Sequence, residues 1–544
     1  MSVLVPPPAT VREDPQALIK EARRRTRRRR LRAALGAVLL AGAALVAFFA
    51  SSGGSSGIVA ETAGRPFVNV RAFSRDGELA FISRGALWVL DGPAGSLRKV
   101  ASTTFTKGSQ SVGEGDYTTR ISQSTPVVPG SPTFSRDGRW LAYQVTPQTS
   151  DGSPSQLWIA NADGTGAHEV AKLAVDWVVG WSPKADTLAV AGDPQNRHAD
   201  FGSPTTLALV SPAGTVRRLL VLPPSYIGSI DSTAWSPDGA AVAVSLVNYN
   251  HAAETIIRAF PVNGAAPTTW LTRTTNQPIP GLCARCYSPI AHLAGWYHGW
   301  GIAFWSFAGG MVHNNDSTTL DVVTRPGATP RFLASTLSDG TTDALAGGPG
   351  DQLALVASTS NAGREYGQGK TVEHCDALTQ ACTPVPGGSM WTGPFRQPCI
   401  SGLPCPYRHP AAGTPGSGVS LDPAWSPTAP LLAYVKAPFA LIGGNPTVAW
   451  YTAHQLYLWN ARTSSTRRIA DIDGASVPSW SRDGRDLLYV SGDGLWLAPA
   501  SGGKPVEIEQ PLYPESQWNR QPVPGAISYY GQIAWNAQFS WWSP

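Results

Sequence analysis

The chain has 544 residues, 42% of them hydrophobic, with 56 Gly, 47 Pro and 20 Trp against only 3 Met and 15% charged residues. It is too long for one ordinary hydrophobic core, too rich in turn formers for long helices, and too apolar for wholesale disorder. Ten of its 42 Lys/Arg and three of its 37 Asp/Glu fall within residues 1–32, so that stretch carries +7 and the remainder −2. The positive excess is local, and the body of the chain has no electrostatic reason to bind nucleic acid.

Residues 1–32 read as a basic leader, too short to fold alone and expected on the cytoplasmic side. Residues 33–50, AALGAVLLAGAALVAFFA, are an uncharged apolar run long enough to span a bilayer as a helix. The arginines of 23–32 immediately before it place the N-terminus inside and everything after residue 50 outside. A cleaved signal peptide is the competing reading. The leader is unusually long for that, and Phe48 stands where a small residue is needed two before Ala50. The arginine run could bind nucleic acid in isolation, but beside an apolar span orientation and attraction to anionic lipid explain it. The expected location is therefore the cytoplasmic membrane, single-pass through residues 33–50. A Gly/Ser linker, 51–64, leads to the main domain.

From residue 65 to 510 a unit of about fifty residues recurs, the period of a propeller or solenoid. The clearest copy is Ala234-Trp235-Ser236-Pro237-Asp238-Gly239, followed by the apolar strand 240–246. Similar copies read AFSRDGELAFI at 72–82, TFSRDGRWLAY at 133–143, GWSPKADTLAV at 180–190, AWSPTAPLLAY at 424–434 and SWSRDGRDLLY at 479–489. Two are degraded: 295–305 loses the Asp-Gly turn, and 346–356 loses the aromatic as well. The marks fall at Phe73, Phe134, Trp181, Trp235, Trp296, Gly347, Trp425 and Trp480. In each good copy an aromatic ends one strand. Pro presets φ, Asp bonds its own backbone and Gly takes the left-handed position, so the chain reverses at once into the next strand. A third strand such as Leu157-Trp158-Ile159 and a small-residue turn before a fourth complete a four-stranded blade. The fold expected is all-β, a propeller of about eight four-stranded blades, or seven if 346–356 is not a true blade. One N-terminal transmembrane helix precedes it.

The succession W-S-P-D-G, x-L-A-[FY] and L-[WY]-[VIL] resembles the PD40 (WD40-like) repeats of TolB-type propellers. The resemblance implies the propeller fold. It does not choose among envelope proteins, lyases and prolyl-oligopeptidase-type enzymes that share such blades.

A Cys/Pro/Gly-rich insertion at 383–420 lengthens the interval before Trp425 and is expected to emerge as loop on one face. The six cysteines, Cys283, Cys286, Cys375, Cys382, Cys399 and Cys405, suit disulfides in an oxidising compartment, with the local pairs 283–286, 375–382 and 399–405 favoured. Cys283-Ala284-Arg285-Cys286 has half a zinc site's spacing but no second half. The tail, 511–544, is aromatic. It either closes the ring, Ile533–Trp535 resembling a first strand, or covers a face, with Trp518, Tyr529, Tyr530, Trp535, Trp541 and Trp542 as candidate binding-surface aromatics.

No nucleophile elbow of the GxSxG kind on a strand–turn–helix is found, the string GGSSG at 53–57 falling in the Gly/Ser linker, and no HExxH pair, phosphate loop or EF-hand loop occurs. His292, His298 and His313 share one degraded unit, where strand packing accounts for them. No catalytic residue, cofactor or metal is expected. The expected role is a non-catalytic scaffold that takes a protein, peptide or envelope glycan outside the cytoplasm. The competing one is a hydrolase or lyase whose site is assembled from several blades in the central funnel.

Overall fold

The computed structural model describes residues 64–102, 104–107, 124–147, 155–192, 204–223, 225–226, 228–248, 254–274, 290–306, 317–337, 345–358, 370–377, 381–386, 419–437, 453–469, 474–492, 494–512 and 538–544. Every regular element among them is a β-strand. The strands pair as eight four-stranded antiparallel blades. Blade 1 joins Phe539–Trp542 to Glu78–Ser83, Ala86–Asp91 and Ser96–Ser102. Blade 2 is Ser124–Phe134, Trp140–Pro147, Ser155–Asn161 and His168–Val175. Blade 3 is Trp177–Trp181, Leu188–Gly192, Thr206–Val210 and Val216–Val221. Blade 4 is Gly228–Trp235, Ala241–Asn248, Glu254–Pro261 and Thr268–Thr274. Blade 5 is Ala291–Tyr297, Gly301–Ser306, Ser317–Val323 and Arg331–Leu337. Blade 6 is Leu345–Gly347, Gln352–Ser358, Lys370–Asp376 and Ala381–Pro384. Blade 7 is Val419–Trp425, Leu431–Ala437, Gln455–Asn460 and Ser465–Arg468. Blade 8 is Ala475–Trp480, Asp486–Ser491, Gly494–Pro499 and Val506–Gln510. The two degraded sequence units are both blades, which excludes the seven-bladed alternative.

First strands of neighbouring blades lie against one another and line the middle of the ring. Second strands such as LAVAG (188–192) are buried along their whole length, because both faces of each blade are covered by its neighbours. Fourth strands such as VRRLLV (216–221) are largely exposed at the rim. The core is consequently not one body. It is eight apolar layers, one in each junction between blades; that between blades 1 and 2, for example, packs Ile82, Val89, Phe134 and Tyr143.

The Ser-x-Asp-Gly turns form as the side-chain chemistry dictates. In blade 4, Ser236 Oγ donates to Asp238 Oδ1 (2.6 Å), the Ala240 N–H donates to the same oxygen (3.0 Å), and the Ala241 N–H donates to Ser236 Oγ (2.9 Å). Gly239 takes φ +66°. The Ser236 and Ala240 hydrogen bonds hold the Asp238 carboxyl below the ordinary carboxylate range. Blades 2 and 8 repeat this arrangement with Ser135–Asp137 and Ser481–Asp483.

Blade 1 corrects one sequence assignment. Phe73, expected from the repeat to end the first strand, lies in a turn, and the first strand is supplied by residues 539–542. Trp541 stands opposite Leu79, the register that Phe134–Leu141, Trp181–Leu188 and Trp235–Val242 repeat in their own blades. The tail thus closes the ring with Phe539–Trp542; Ile533–Trp535 lies outside the described residues. A second clasp forms at the rim, where the short strand Phe67–Val68 pairs with Gln510 and Glu509 of blade 8. The insertion is also trimmed: residues 383–384 belong to blade 6 and 419–420 to blade 7. The leader, the span 33–50 and the linker to residue 63 lie outside the described residues.

Candidate functional site

The meander gives the ring two unlike faces. Strand 1 to strand 2 and strand 3 to strand 4 connect on one face through short turns such as 236–240 and 92–95. Strand 2 to strand 3 and strand 4 to the next blade connect on the other, and there the long segments depart: 108–123, 275–290, 385–418, 438–454 and 511–538. In propellers, as in other folds, connections carried by a rigid frame are where binding residues collect.

Beneath that second face the first strands are bulged. Register shifts interrupt them in blades 2, 3, 4, 5, 7 and 8. Ser131, Asp422 and Val477, three residues before their blades' aromatics, all have φ +49°. A bulge frees a backbone N–H from its ladder and re-aims a side chain. Two of these groups are met from the preceding blade at the same repeat position: the Leu293 N–H donates to Ser232 Oγ (2.7 Å), and the Val477 N–H donates to Asp422 Oδ2 (3.1 Å).

At the bulge of blade 4 the re-aimed side chain is Asp231. Its Oδ2 accepts from His292 Nδ1 of blade 5 at 3.0 Å and from Ser232 Oγ at 3.0 Å. The Asp231 and His292 side chains are 18% and 27% exposed, so solvent reaches both. His292 lies over Trp305, centroids 5.9 Å apart. Against a carboxylate oxygen, Nδ1 is the donor of this pair. Behind the pair sits a buried polar cluster. Arg273 donates to Ser306 Oγ (2.6 Å) and Asp321 Oδ2 (3.3 Å), Ser306 donates to Asp321 (2.5 Å), and Arg273 lies over the Phe304 ring (4.9 Å). Burial pushes the Asp321 carboxyl up, against the pull of Ser306 and Arg273. Asp321 and Ser306 are fully buried, and Ser245 Oγ donates to the Ala291 carbonyl next to His292 (2.7 Å), so the strand presenting the imidazole is rigidly backed.

Two repeated ties join the blades. Indole Nε1 of Trp181, Trp235 and Trp480 donates to the carbonyl of Thr133, Gly180 and Ala424, the residue just before the preceding blade's aromatic (3.0, 2.8 and 2.9 Å). On the rim Arg98, Arg217 and Arg467, all in fourth strands, donate to the carbonyls of Asp163, Val262 and Ala500 in the next blade's strand 3–4 turn. The degraded pair, blades 5 and 6, is tied differently: His298 Nδ1 donates to Asp351 Oδ1 (2.5 Å), Trp300 Nε1 to the Asp351 carbonyl (2.8 Å), and Thr336 pairs with Ala357 across the junction.

His292 and His298 therefore sit near opposite ends of one strand and do not form a single site; His313 lies outside the described residues. Trp541 and Trp542 are engaged in closure: their Nε1 atoms donate to the carbonyls of Asp76 (2.6 Å) and Arg136 (3.0 Å), and a Cβ at Gly138 would meet the Trp542 ring. Trp518, Tyr529, Tyr530 and Trp535 lie outside the described residues. Cys375 and Cys382, directly opposite on paired strands of blade 6, form a disulfide; Cys283, Cys286, Cys399 and Cys405 lie outside the described residues.

No protein-family model matches the chain. No curated protein matches it. Among solved structures it is similar to an oligogalacturonate lyase in complex with manganese (13% identity, 76% of this chain and 98% of that one, TM-score 0.37). It is also similar to an acylaminoacyl peptidase from Pyrococcus horikoshii (9%, 70% and 52%, 0.39), about half of whose length it spans, and to a putative TolB from Agrobacterium tumefaciens (14%, 54% and 84%, 0.28). At these values the likenesses carry no argument about activity, and the blade count rests on the strand pairing.

Proposed function

We propose that the chain is a membrane-tethered, extracytoplasmic binding scaffold with PD40-type blades, which takes a protein, peptide or envelope glycan on the face where the long connections depart. The observation behind this reading is the asymmetry of the ring. One face is closed by short self-bonded turns, while the other combines the long segments with the solvent-reached Asp231–His292 pair at the inner strands. The tether follows from residues 23–50. The test is crosslinking of the full-length chain in intact membranes, followed by identification of what it captures in wild type and in Asp231→Asn. A partner captured by wild type and weakened by the substitution supports the scaffold. Capture of nothing beyond abundant neighbours, with turnover of a glycan or peptide by the purified chain, sinks it.

A second reading, a hydrolase or lyase, is favoured by the same pair, since a carboxylate-oriented imidazole is a competent general base. In that case Asp231→Asn abolishes turnover while leaving substrate binding largely intact.

A further inference from the structure

His292 is held from two sides, and the Asp231 carboxylate is only one of them. A single hydrogen bond at Nδ1 fixes one edge of an imidazole and leaves its plane free to tilt. The plane is set by Trp305, the direct cross-strand partner, whose indole lies 26° from it with centroids 5.9 Å apart. Trp305 is 4% exposed and is pinned in turn: its Nε1 donates to Thr336 Oγ1 at 2.9 Å, within the junction between blades 5 and 6. The repeat does not ask for tryptophan here. Gly130, Trp177, Leu421 and Ser476, like His292, stand four residues before their blades' aromatics, and they face Gln144, Ala191, Val435 and Val490. Nor does it ask for a buried Thr336. The fourth strand of blade 3 is largely exposed at the rim, whereas Thr336, in the fourth strand of blade 5, is fully buried. Here that strand pairs with the second strand of blade 6, at Thr336–Ala357. Blades 5 and 6 are the only two joined into one sheet among the described residues. Two departures from the repeat thus meet in one hydrogen bond, on the residue that stacks with His292.

We propose that Trp305 and Thr336 are positioning residues of the Asp231–His292 site: through the stacked indole they hold the imidazole in the one orientation that keeps Nδ1 on the Asp231 carboxylate. The assignment rests on the reading of that pair as the binding site. Blade 4 then supplies the carboxylate, blade 5 the imidazole and the indole, and the sheet shared with blade 6 the anchor. A buried threonine hydroxyl anchors an indole sharply, because its loss leaves Nε1 buried without an acceptor. The degraded repeat of blade 6 has a part in this. Its second strand, Gln352–Ser358, takes the end of blade 5's fourth strand into the sheet and so sets Thr336 against the indole.

The test reads the imidazole itself. In the full-length chain in detergent, with isotope-labelled histidine, the magnetic resonance signal of the His292 Nδ1–H is assigned by its loss in His292→Gln, and its exchange with water is measured. Thr336→Val keeps the shape and removes the acceptor; Trp305→Phe keeps a ring and removes the donor. Either change is expected to speed exchange of that proton about tenfold, the effect of losing one buried hydrogen bond behind it. The amide of Leu320, buried in the middle of the same blade, should stay as protected as in wild type. Capture in intact membranes should weaken in Thr336→Val as it does in Asp231→Asn. Should wild type capture nothing, the scaffold reading falls, and the exchange measurement still decides this assignment. Unchanged exchange in either variant overturns it, as does the lack of a slowed Nδ1–H signal in wild type. Equally faster exchange at Leu320, the mark of a blade loosened as a whole, overturns it too, and so does full capture by Thr336→Val where wild type takes a partner. Should Trp305→Phe not fold, Thr336→Val alone decides.

Discussion

Trp541 stands opposite Leu79 although the two lie near the two ends of the chain, and their pairing turns a row of blades into a ring. The indole also packs on Phe73 (centroids 6.4 Å) and donates to the Asp76 carbonyl. Trp541→Ala removes a half-buried aromatic from the junction that also holds Leu79, Leu488 and Ile508. It is expected to cost about 3 kcal/mol, read as a lowered midpoint in denaturant. Deleting 538–544 uncovers the edge of Glu78–Ser83, and size-exclusion chromatography should then show oligomers, because an unpaired edge recruits strands from other copies.

The indole ties and the core layers make separable contributions. Trp235→Phe keeps the packing and removes the donor to the Gly180 carbonyl, at an expected cost of about 1 kcal/mol; Trp235→Ala loses the packing too and should cost about 3 kcal/mol. Chemical denaturation of the two variants distinguishes the terms.

Arg98, Arg217 and Arg467 tie three different junctions and share no partner. Each changed to Met, which keeps much of the aliphatic stem, should cost about 0.5–1 kcal/mol, and the triple variant should lose the sum. A loss much larger than the sum, measured by the same unfolding curve, would mean that the junctions are coupled around the ring.

The Cys375–Cys382 bridge closes a short loop within one blade. Replacing both residues by Ser is expected to cost about 2 kcal/mol through unfolded-chain entropy, with the pairing of their strands preserved by the backbone ladder. Midpoints of the oxidised protein and the double variant, taken without reductant, provide the check.

Asp231→Asn leaves a side chain of the same shape whose amide oxygen can still accept from His292 Nδ1 but without the carboxylate's charge. Capture of a ligand held through that imidazole should weaken about tenfold, the equivalent of one charge-assisted hydrogen bond, while the unfolding midpoint moves little. Titration of the captured ligand against both proteins measures it.

The repeat made the fold readable because each Ser-x-Asp-Gly turn is local chemistry: the bonds of Ser236 and Asp238 reach only five residues. The same locality explains the error at Phe73. Nothing near residue 73 reveals that blade 1 takes its aromatic from position 541. Junction chemistry was equally hidden, since Arg217 and Trp235 bond main-chain carbonyls, which leave no mark in a sequence. The degraded units lack the Asp-Gly signature because His298, Trp300 and Asp351 replace it with bonds between blades. As for the candidate site, Asp231 and His292 come from different blades 61 residues apart, and only the bulge before Thr233 brings them together.

Closure by Phe539–Trp542 also sets an order of assembly. A ribosome delivers the last three strands of blade 1 first and its innermost strand last. Throughout synthesis, then, Glu78–Ser83 presents an open edge, while blades 2 to 8 can stack on one another as they emerge. The nascent chain must keep that edge from pairing with a neighbour until residues 539–542 have emerged, and only then does blade 1, the first part of the domain to be made, become native.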